Sequence, residues 1–381
     1  MSTLNVNTIN AATSGQAVAV DISNPRSFRN LIINGAMNVA QRGTSSTTNG
    51  GIVCDRFKVY FGGTDEACTT TQHALTSSDT GPWEKGFRNS LHITNGNQTG
   101  GAGAGDEVDI YYMVEAQDLA NSGWDNTSAS SYITLSWWVR SSVAQNFHGY
   151  LVSQDGTNQG LPFETGSLTA DTWTKITKKI PGNSNLQFDN DNGPGLGINF
   201  GPWFGTNRTT ASPTLDAWAA YADSSRTKDT TTTWYTTNDA TFEITGVQLE
   251  VGSYATDFEH RTYGDELARS KRYFQRYPEI GSDSYSAYPG NAAACMSSTG
   301  AGWAVKLDTM RAAPTVTEDG SHRIVIQNTG HSVTSFSTPH MSASTAWIVL
   351  TCSGGGMGEG KAGIVGRNND TSGYWNFSAE L

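Results

Sequence analysis

Two glycine-rich strings come nearest to a nucleotide site. Residues 355–362, GGMGEGKA, match GxxxxGK after the apolar run TAWIVLTC. A phosphate loop needs a Ser or Thr next, to hold magnesium, and a helix whose amides point at the phosphates. Ala362 stands where that hydroxyl would be and GIVG continues as a strand, so the string reads as a hairpin tip. Residues 100–105, GGAGAG, lead straight into Asp106 and Glu107, whose charge opposes an anion. They read as a loop.

Polysaccharide cleavage would need two carboxylates about 5–10 Å apart, one with a raised pKa. Glu115, Asp118, Asp155, Glu164, Asp189 and Asp191 are present, but none sits in a pattern that marks it as catalytic. No catalytic residue is assigned. Asp189-Asn-Asp191-Asn-Gly has the opening of a calcium loop without the Glu that closes it at the twelfth position, so the metal set is left unknown.

Sugar binding asks for flat apolar rings against the CH faces of the sugar, with amides and carboxylates for its hydroxyls. Trp83, Trp124, Trp203, Trp218 and Trp234 lie in stretches rich in Gly, Asn and Asp, and Trp303, Tyr374 and Trp375 belong to a second aromatic set near the C-terminus, with Tyr285, Tyr288 and Trp347. These eight, Trp83 to Trp375, are the candidate glycan contacts. Trp137, Trp138 and Trp173 fall inside strand-like runs and read as core.

The elements that must carry these residues are strands. Gly (42 of 381 residues) is abundant and charged residues make up only 15%, with 10% aromatics. That composition suits short strands and many turns. Ten strand-like runs fall between residues 28 and 258, at 31–39, 57–61, 90–93, 108–114, 132–139, 149–152, 173–180, 196–200, 232–235 and 241–251. Such a series suits a jelly-roll sandwich whose opening and closing strands lie side by side. Residues 279–381 hold eight more short runs and read as a second, smaller β-sandwich. Residues 1–27 offer only two short alternating runs, Leu4 and Val6, then Val18, Val20 and Ile22. Such strands are stable only when several chains close each other's edges.

Between the two β units, residues 244–278 read as a last strand, a sharp exit and a helix. Thr262 and Asp265 have the spacing of a capping box, Asp265 and Glu266 fall in the first turn, and Arg269, Lys271, Arg272 and Arg276 follow. Tyr263, Leu267, Ser270, Phe274 and Tyr277 share one face of a helix of about four turns, too short to stand alone. It must pack on its flanking domains or on copies of itself.

VQLEVGSYATDFEHRTYGDELARSKRYFQR (residues 247–276) resembles the joint of a family of bacteriophage tail-fibre and prophage tail proteins. RNLIINGAMNVAQRG (29–43), CDRFKVY (54–60, with Phe57 where Trp is usual), SASSYITLSWWVRSS (128–142), DTWTKITKKIPG (171–182), TMRAAPTVT (309–317) and SAEL (378–381) follow that family's order. The resemblance implies an all-β chain with N-terminal stem strands (1–27), a jelly-roll domain similar to carbohydrate-binding modules (28–258), one short connecting helix (259–278) and a C-terminal knob (279–381). It implies a homotrimer in the virion, anchored to other tail or capsid proteins through the N-terminus. Its partner would be a bacterial surface glycan or outer-membrane protein. No cofactor is needed, although jelly-roll carbohydrate modules often hold a structural calcium. A protein-binding adaptor or capsid decoration is the alternative, and a depolymerising tailspike a third.

Net charge at pH 7 is -11, with no basic block to neutralise phosphates, which argues against nucleic acid. No apolar run reaches the 18 residues of a membrane span and no signal-peptide pattern opens the chain. The chain reads as made in the host cytoplasm. Cys54, Cys68, Cys295 and Cys352 are widely spaced without CxxC pairs, which suggests neither zinc nor a disulfide framework.

Overall fold

The computed structural model describes residues 29–278 and 283–381. The expected stem strands at Leu4, Val6, Val18, Val20 and Ile22 lie outside the described residues.

Period-two alternation builds the larger unit. In the strand Tyr132–Ser141, Ile133, Leu135, Trp137 and Val139 face the core, so Trp138 and Arg140 must face the other way. Two six-stranded sheets result. One runs, edge to edge, Ser45–Ser46, Thr69–Ala74, Asn89–Thr94, Thr241–Val251, Tyr132–Ser141 and Thr174–Pro181. The other runs Ala219–Ala220, Gln159–Ser167, Asn146–Ser153, Pro194–Phe204, Glu107–Glu115 and Lys58–Gly62. Trp137 of the first sheet meets Phe163 and Phe200 of the second at 5.5 and 5.1 Å between ring centroids. Edge-on aromatic contacts of this kind contribute about 0.5–1.5 kcal/mol each beyond the burial of their area.

Two expected strands are not strands. Residues 31–39 form a loop, because Asn34 and Met37 take left-handed backbone angles (φ 61° and 58°) and the Asn34 amide replaces the ladder, donating to the Val39 and Asp55 carbonyls at 2.9 and 3.1 Å. The loop still lies beside the closing strand, through Leu31 N–H to Leu249 O and Val247 N–H to Gly35 O, both 2.9 Å. Residues Thr233–Thr236 form one helical turn that sinks Trp234 and Tyr235 into the core. On Thr241–Val251 the polar alternates are buried too, since Gln248 and Glu250 are covered by the returning segment: Glu250 accepts from Thr256 N–H at 2.8 Å, and Gln248 accepts from Glu259 N–H at 2.8 Å.

The connecting helix is Tyr263–Lys271, shorter than expected. Thr262 caps it, accepting from Asp265 N–H at 3.2 Å, and Asp265 and Glu266 lie in its first turn with Arg269 and Lys271 in its last. Its apolar stripe does not drive packing. Tyr263 is exposed, while Glu266 and Ser270 are buried, and Glu266 accepts from Asn34 N–H at 2.7 Å. The helix docks by polar contacts within its own chain. After Arg272 the backbone turns extended, and Phe274–Tyr277 pairs with Tyr374–Ser378, which also pairs with Thr315–Asp319.

Segments 29–43, 54–60, 309–317 and 378–381 meet the end of 247–276 at this joint. Glu115, from the strand Glu107–Glu115, accepts two bonds from Arg272 at 2.8 and 2.7 Å and one from the Tyr273 hydroxyl. Burial opposes ionisation of Glu115, but these bonds outweigh it and hold its pKa below the usual carboxylate value. Glu380 lies between Arg42 and Arg56, and Arg56 stacks 3.4 Å from the Tyr273 ring centroid. Arg311 donates to the carbonyls of Ala379 and Asn192 at 2.9 and 2.6 Å.

The C-terminal unit is a closed six-stranded barrel, not the expected sandwich: Ala287–Cys295, Gly300–Lys306, Thr345–Cys352, Thr329–Met341, His322–Ile326 and Ala362–Arg367, the last pairing back onto the first. Alternation tells a strand which face is buried but not whether the last strand pairs with the first, and that pairing separates a barrel from a sandwich. Trp303 and Trp375 meet inside at 5.3 Å. Residues 353–361 are a loop with five left-handed glycines, as expected of GGMGEGKA, but not a hairpin tip: the strands it joins, Thr345–Cys352 and Ala362–Arg367, each pair with other strands of the barrel. All four cysteines are free and buried. Among the described residues no helix is long and apolar enough to cross a membrane.

Candidate functional site

The outward face of the first sheet carries a pocket of about 280 Å³. Trp138 stands on it because its neighbour Trp137 points inward. Phe87 and Phe258 complete an aromatic floor, their rings 4.8 Å apart, and His260 tilts against both at 5.1 and 4.9 Å. Glu84, Lys85, Lys175, Asp257 and Ser136 supply charged and hydroxyl groups around it. His260 Nε2 lies 2.7 Å from the Lys85 carbonyl, which ties the returning segment to the loop that carries Glu84 and Phe87.

Backbone shape makes the pocket. The register of Thr241–Val251 against Tyr132–Ser141 shifts between Thr245 and Gln248, and Gly246 in that bulge has φ 63°. A β-carbon there would stand 2.7 Å from the Phe87 ring. Gly81 (φ 99°) does the same service for Trp138, where a β-carbon would stand 2.7 Å from the indole. Flat rings beside carboxylates, ammonium groups and a hydroxyl can hold the apolar face and the hydroxyl edge of a sugar together.

Next to the pocket lies a polar network. Glu243, buried on the strand Thr241–Val251, accepts from Arg140 Nη2 at 2.7 Å and from the Ser90 hydroxyl at 2.7 Å, and its carboxylate is approached by His73 and His92 at 3.1 and 3.2 Å. Burial alone would raise the Glu243 carboxyl, but His92, Arg140 and Ser90 outweigh it and hold it at about 2. Arg140 also bonds Asp79 at 2.7 Å, and Asp79 accepts from the Trp173 indole at 3.2 Å.

The eight candidate glycan contacts scatter. Trp124, Trp203, Trp234, Trp303 and Trp375 are buried in the two cores. Loop-like sequence around them reflects short connections, while their rings fill the interior, where no sugar face can reach them. Trp83 is half-buried beside the pocket, with the Arg88 guanidinium 3.8 Å from its ring. Trp218 is half-buried, its indole donating to the Pro181 carbonyl at 2.8 Å. Tyr374 is half-buried with Arg276 and Arg367 each 4.6 Å from its ring. None of these three lines the pocket. Trp138, read as core, lines it instead, and strict alternation from Trp137 was the signal for it. Phe87 and Phe258 gave none, being brought in by loops.

The candidate carboxylates fall into two groups and a remainder: Glu115 with Asp118, Asp155 with Asp189 and Asp191, and Glu164 apart, and none of the six lines the pocket. Glu115 belongs to the joint, Glu164 accepts from Asn146 at 2.8 Å, and Asp155 accepts from the Asp189 backbone N–H at 3.0 Å. In residues 100–105 the amides of Gly100 and Gly103 are taken by Asp65 and Asp106, at 2.6 Å each.

Part of the second sheet's outward face is covered. Tyr221 and Arg226 lie over Tyr150, at 6.2 and 5.8 Å, and Asp109 beneath them is 4% exposed. Burial, then the charge of Glu107, pushes the Asp109 carboxyl up to about 7 against the pull of Arg226 and Arg208. On the barrel, a more apolar groove of about 590 Å³ runs beside Trp347, His340 and Lys306.

No family profile and no curated protein matches the chain. Among solved structures it is similar to the enzymatically active domain of tailspike protein 4 of bacteriophage CBA120, at 11% identity and a TM-score of 0.32, over 59% of this chain and 22% of that one. It is also similar to the N-terminal cellulose-binding domain of β-1,4-glucanase C from Cellulomonas fimi (11% identity, TM-score 0.27, 57% of this chain and 99% of that one). The CBM22-1-CBM22-2 tandem domain of Paenibacillus barcinonensis Xyn10C gives 10% identity and a TM-score of 0.26 over 90% of this chain and 99% of that one. The chain thus spans about a fifth of the tailspike domain's length, and each likeness is distant.

Proposed function

We propose that the chain is a non-enzymatic bacteriophage tail-fibre protein that recognises a bacterial surface glycan through the pocket floored by Trp138, Phe87 and Phe258. The observation that carries this reading is the joining of the part-exposed Trp138 and Phe258 rings, with buried Phe87 behind them, to Glu84, Asp257, Lys85 and Lys175 in one cavity on a sheet face. The ordered motif series from Arg29 to Leu381 supports the tail-fibre assignment. Three copies, joined through residues 1–27 and anchored in the virion, would turn weak single contacts into firm adsorption. Such recognition needs no cofactor.

The test is binding of the purified full chain to a panel of bacterial surface polysaccharides, beside its Trp138→Ala variant. Wild type is expected to bind one polysaccharide class and to release no reducing ends, with affinity about five- to thirtyfold lower in the variant, since an aromatic platform contributes on the order of 1–2 kcal/mol. Binding to no polysaccharide, with retention of a virion protein, would replace this reading with the adaptor. Release of reducing ends would replace it with the depolymerase.

A further inference from the structure

Three side chains from three neighbouring strands converge beside the pocket. His73 comes from Thr69–Ala74, His92 from Asn89–Thr94 and Glu243 from Thr241–Val251, with His92 directly opposite Glu243 in the ladder. One nitrogen of each imidazole and a carboxylate oxygen all lie within 4.8 Å of one another. Donors that share a tetrahedral ion at 2.0–2.1 Å stand about 3.4 Å apart, close to the 3.1 Å from His73 Nδ1 to Glu243 Oε2 and the 3.2 Å from His92 Nδ1 to Glu243 Oε1, so the carboxylate faces both rings.

Hydrogen bonding accounts for this arrangement only in part. His92 Nδ1 is buried and near Glu243, yet it lies off the line of a hydrogen bond and has no other partner. Its Nε2 stands 3.1 Å from the Thr94 hydroxyl. Without metal, a proton on Nδ1 can serve Glu243; a cation between them would replace that proton and take the Nδ1 lone pair, with Nε2–H then donating to Thr94. Charge points the same way: Glu243 and Asp79 face one guanidinium, Arg140, which bonds both and leaves one negative charge over. Ser90 and Arg140 steady the carboxylate from outside, as hydrogen-bonding groups around metal ligands do. The His73 side chain is 44% exposed, so an ion could enter from solvent and keep water as its fourth ligand.

We propose that His73, His92 and Glu243 form a binding site for a nitrogen-preferring divalent transition metal, zinc above all, pinning three strands of the sheet beside the pocket. Two imidazoles with one carboxylate select such ions over calcium or magnesium, which favour all-oxygen sets. The assignment does not depend on the glycan reading.

The test uses untagged full-length protein, with zinc affinity measured by competition against a chromophoric chelator and geometry by the visible absorption of bound cobalt. One equivalent of zinc is expected, with four-coordinate cobalt bands. His73→Ala, which removes a half-exposed side chain, should weaken zinc at least tenfold and abolish those bands while the circular dichroism stays native. His92→Gln should do the same, and His340→Ala on the barrel should change nothing. Failure to bind zinc, zinc binding untouched by His73→Ala, or calcium binding as tight as zinc would overturn the proposal.

Discussion

Asp109 shows how costly a carboxylate can be in this fold. Its pKa of about 7 lies above the 3.8 of the free side chain, so the native state prefers the protonated acid. Stability from this group is therefore complete below about pH 4 and is lost as pH rises through 7. Asp109→Asn, which cannot ionise, should match wild type at pH 4 and exceed it at pH 8 by on the order of 2–4 kcal/mol, at about 1.4 kcal/mol per pH unit of difference. Urea titrations at the two pH values check this, and an equal gain at both would show that charge is not the cause. At the same scale, Trp138→Ala removes the pocket's largest ring from outside the main core, so lost binding with an unchanged melting temperature is the expected signature. Which tryptophan faced solvent was legible in the alternation of residues 132–141. That Trp234 and Trp203 are interior was not, because a polar neighbourhood in sequence says nothing of where a ring is carried by one helical turn or by a strand's far end.

Among the elements, the closing strand Thr241–Val251 does most to shape the site. It holds Glu243, bulges at Gly246 and takes the opening loop along its edge. Gly246→Ala puts a β-carbon against the Phe87 ring and forces a left-handed backbone on a residue that resists it. A loss of about 1–3 kcal/mol is expected, together with weakened binding at the pocket. Retained binding and an unchanged denaturation midpoint would show that the bulge does not set the floor. Most of the longer strands could be read from their apolar runs, and the helix cap from Thr262 and Asp265, but Thr69–Ala74 and Gln159–Ser167 could not, because Thr, Gln, Gly and Pro hide their alternation, and Phe274–Tyr277 reads as helix. What packs on the helix could not: a buried Glu266 bonded to the Asn34 backbone is invisible to any reading that looks for an apolar stripe. The barrel was likewise hidden, since closure depends on partners far apart in the chain, as when Ala287–Cys295 pairs with Ala362–Arg367.

For the whole molecule, the joint couples sandwich and barrel through Glu115, Arg272, Arg56 and Glu380, so the connector is satisfied without a second chain. Trimerisation in the proposed fibre then falls to residues 1–27. Deleting them should convert a trimer into a folded monomer in sedimentation at micromolar concentration, with the melting temperature of the remainder nearly unchanged. A truncated protein that stays trimeric would place the contact on the sandwich or barrel.

The embrace of the closing strand by the opening loop has a bearing on how the protein is made. Asn30 bonds Val247, 217 residues further on, and a ribosome working at about 5–20 residues per second needs roughly 10–40 s to bridge that gap. Through that interval Ile32 and Met37 wait without their native cover. The nascent sandwich is thus exposed to aggregation for longer than a fold of local contacts, and overproduction in a cell poor in holdase chaperones should yield inclusion bodies rather than folded protein.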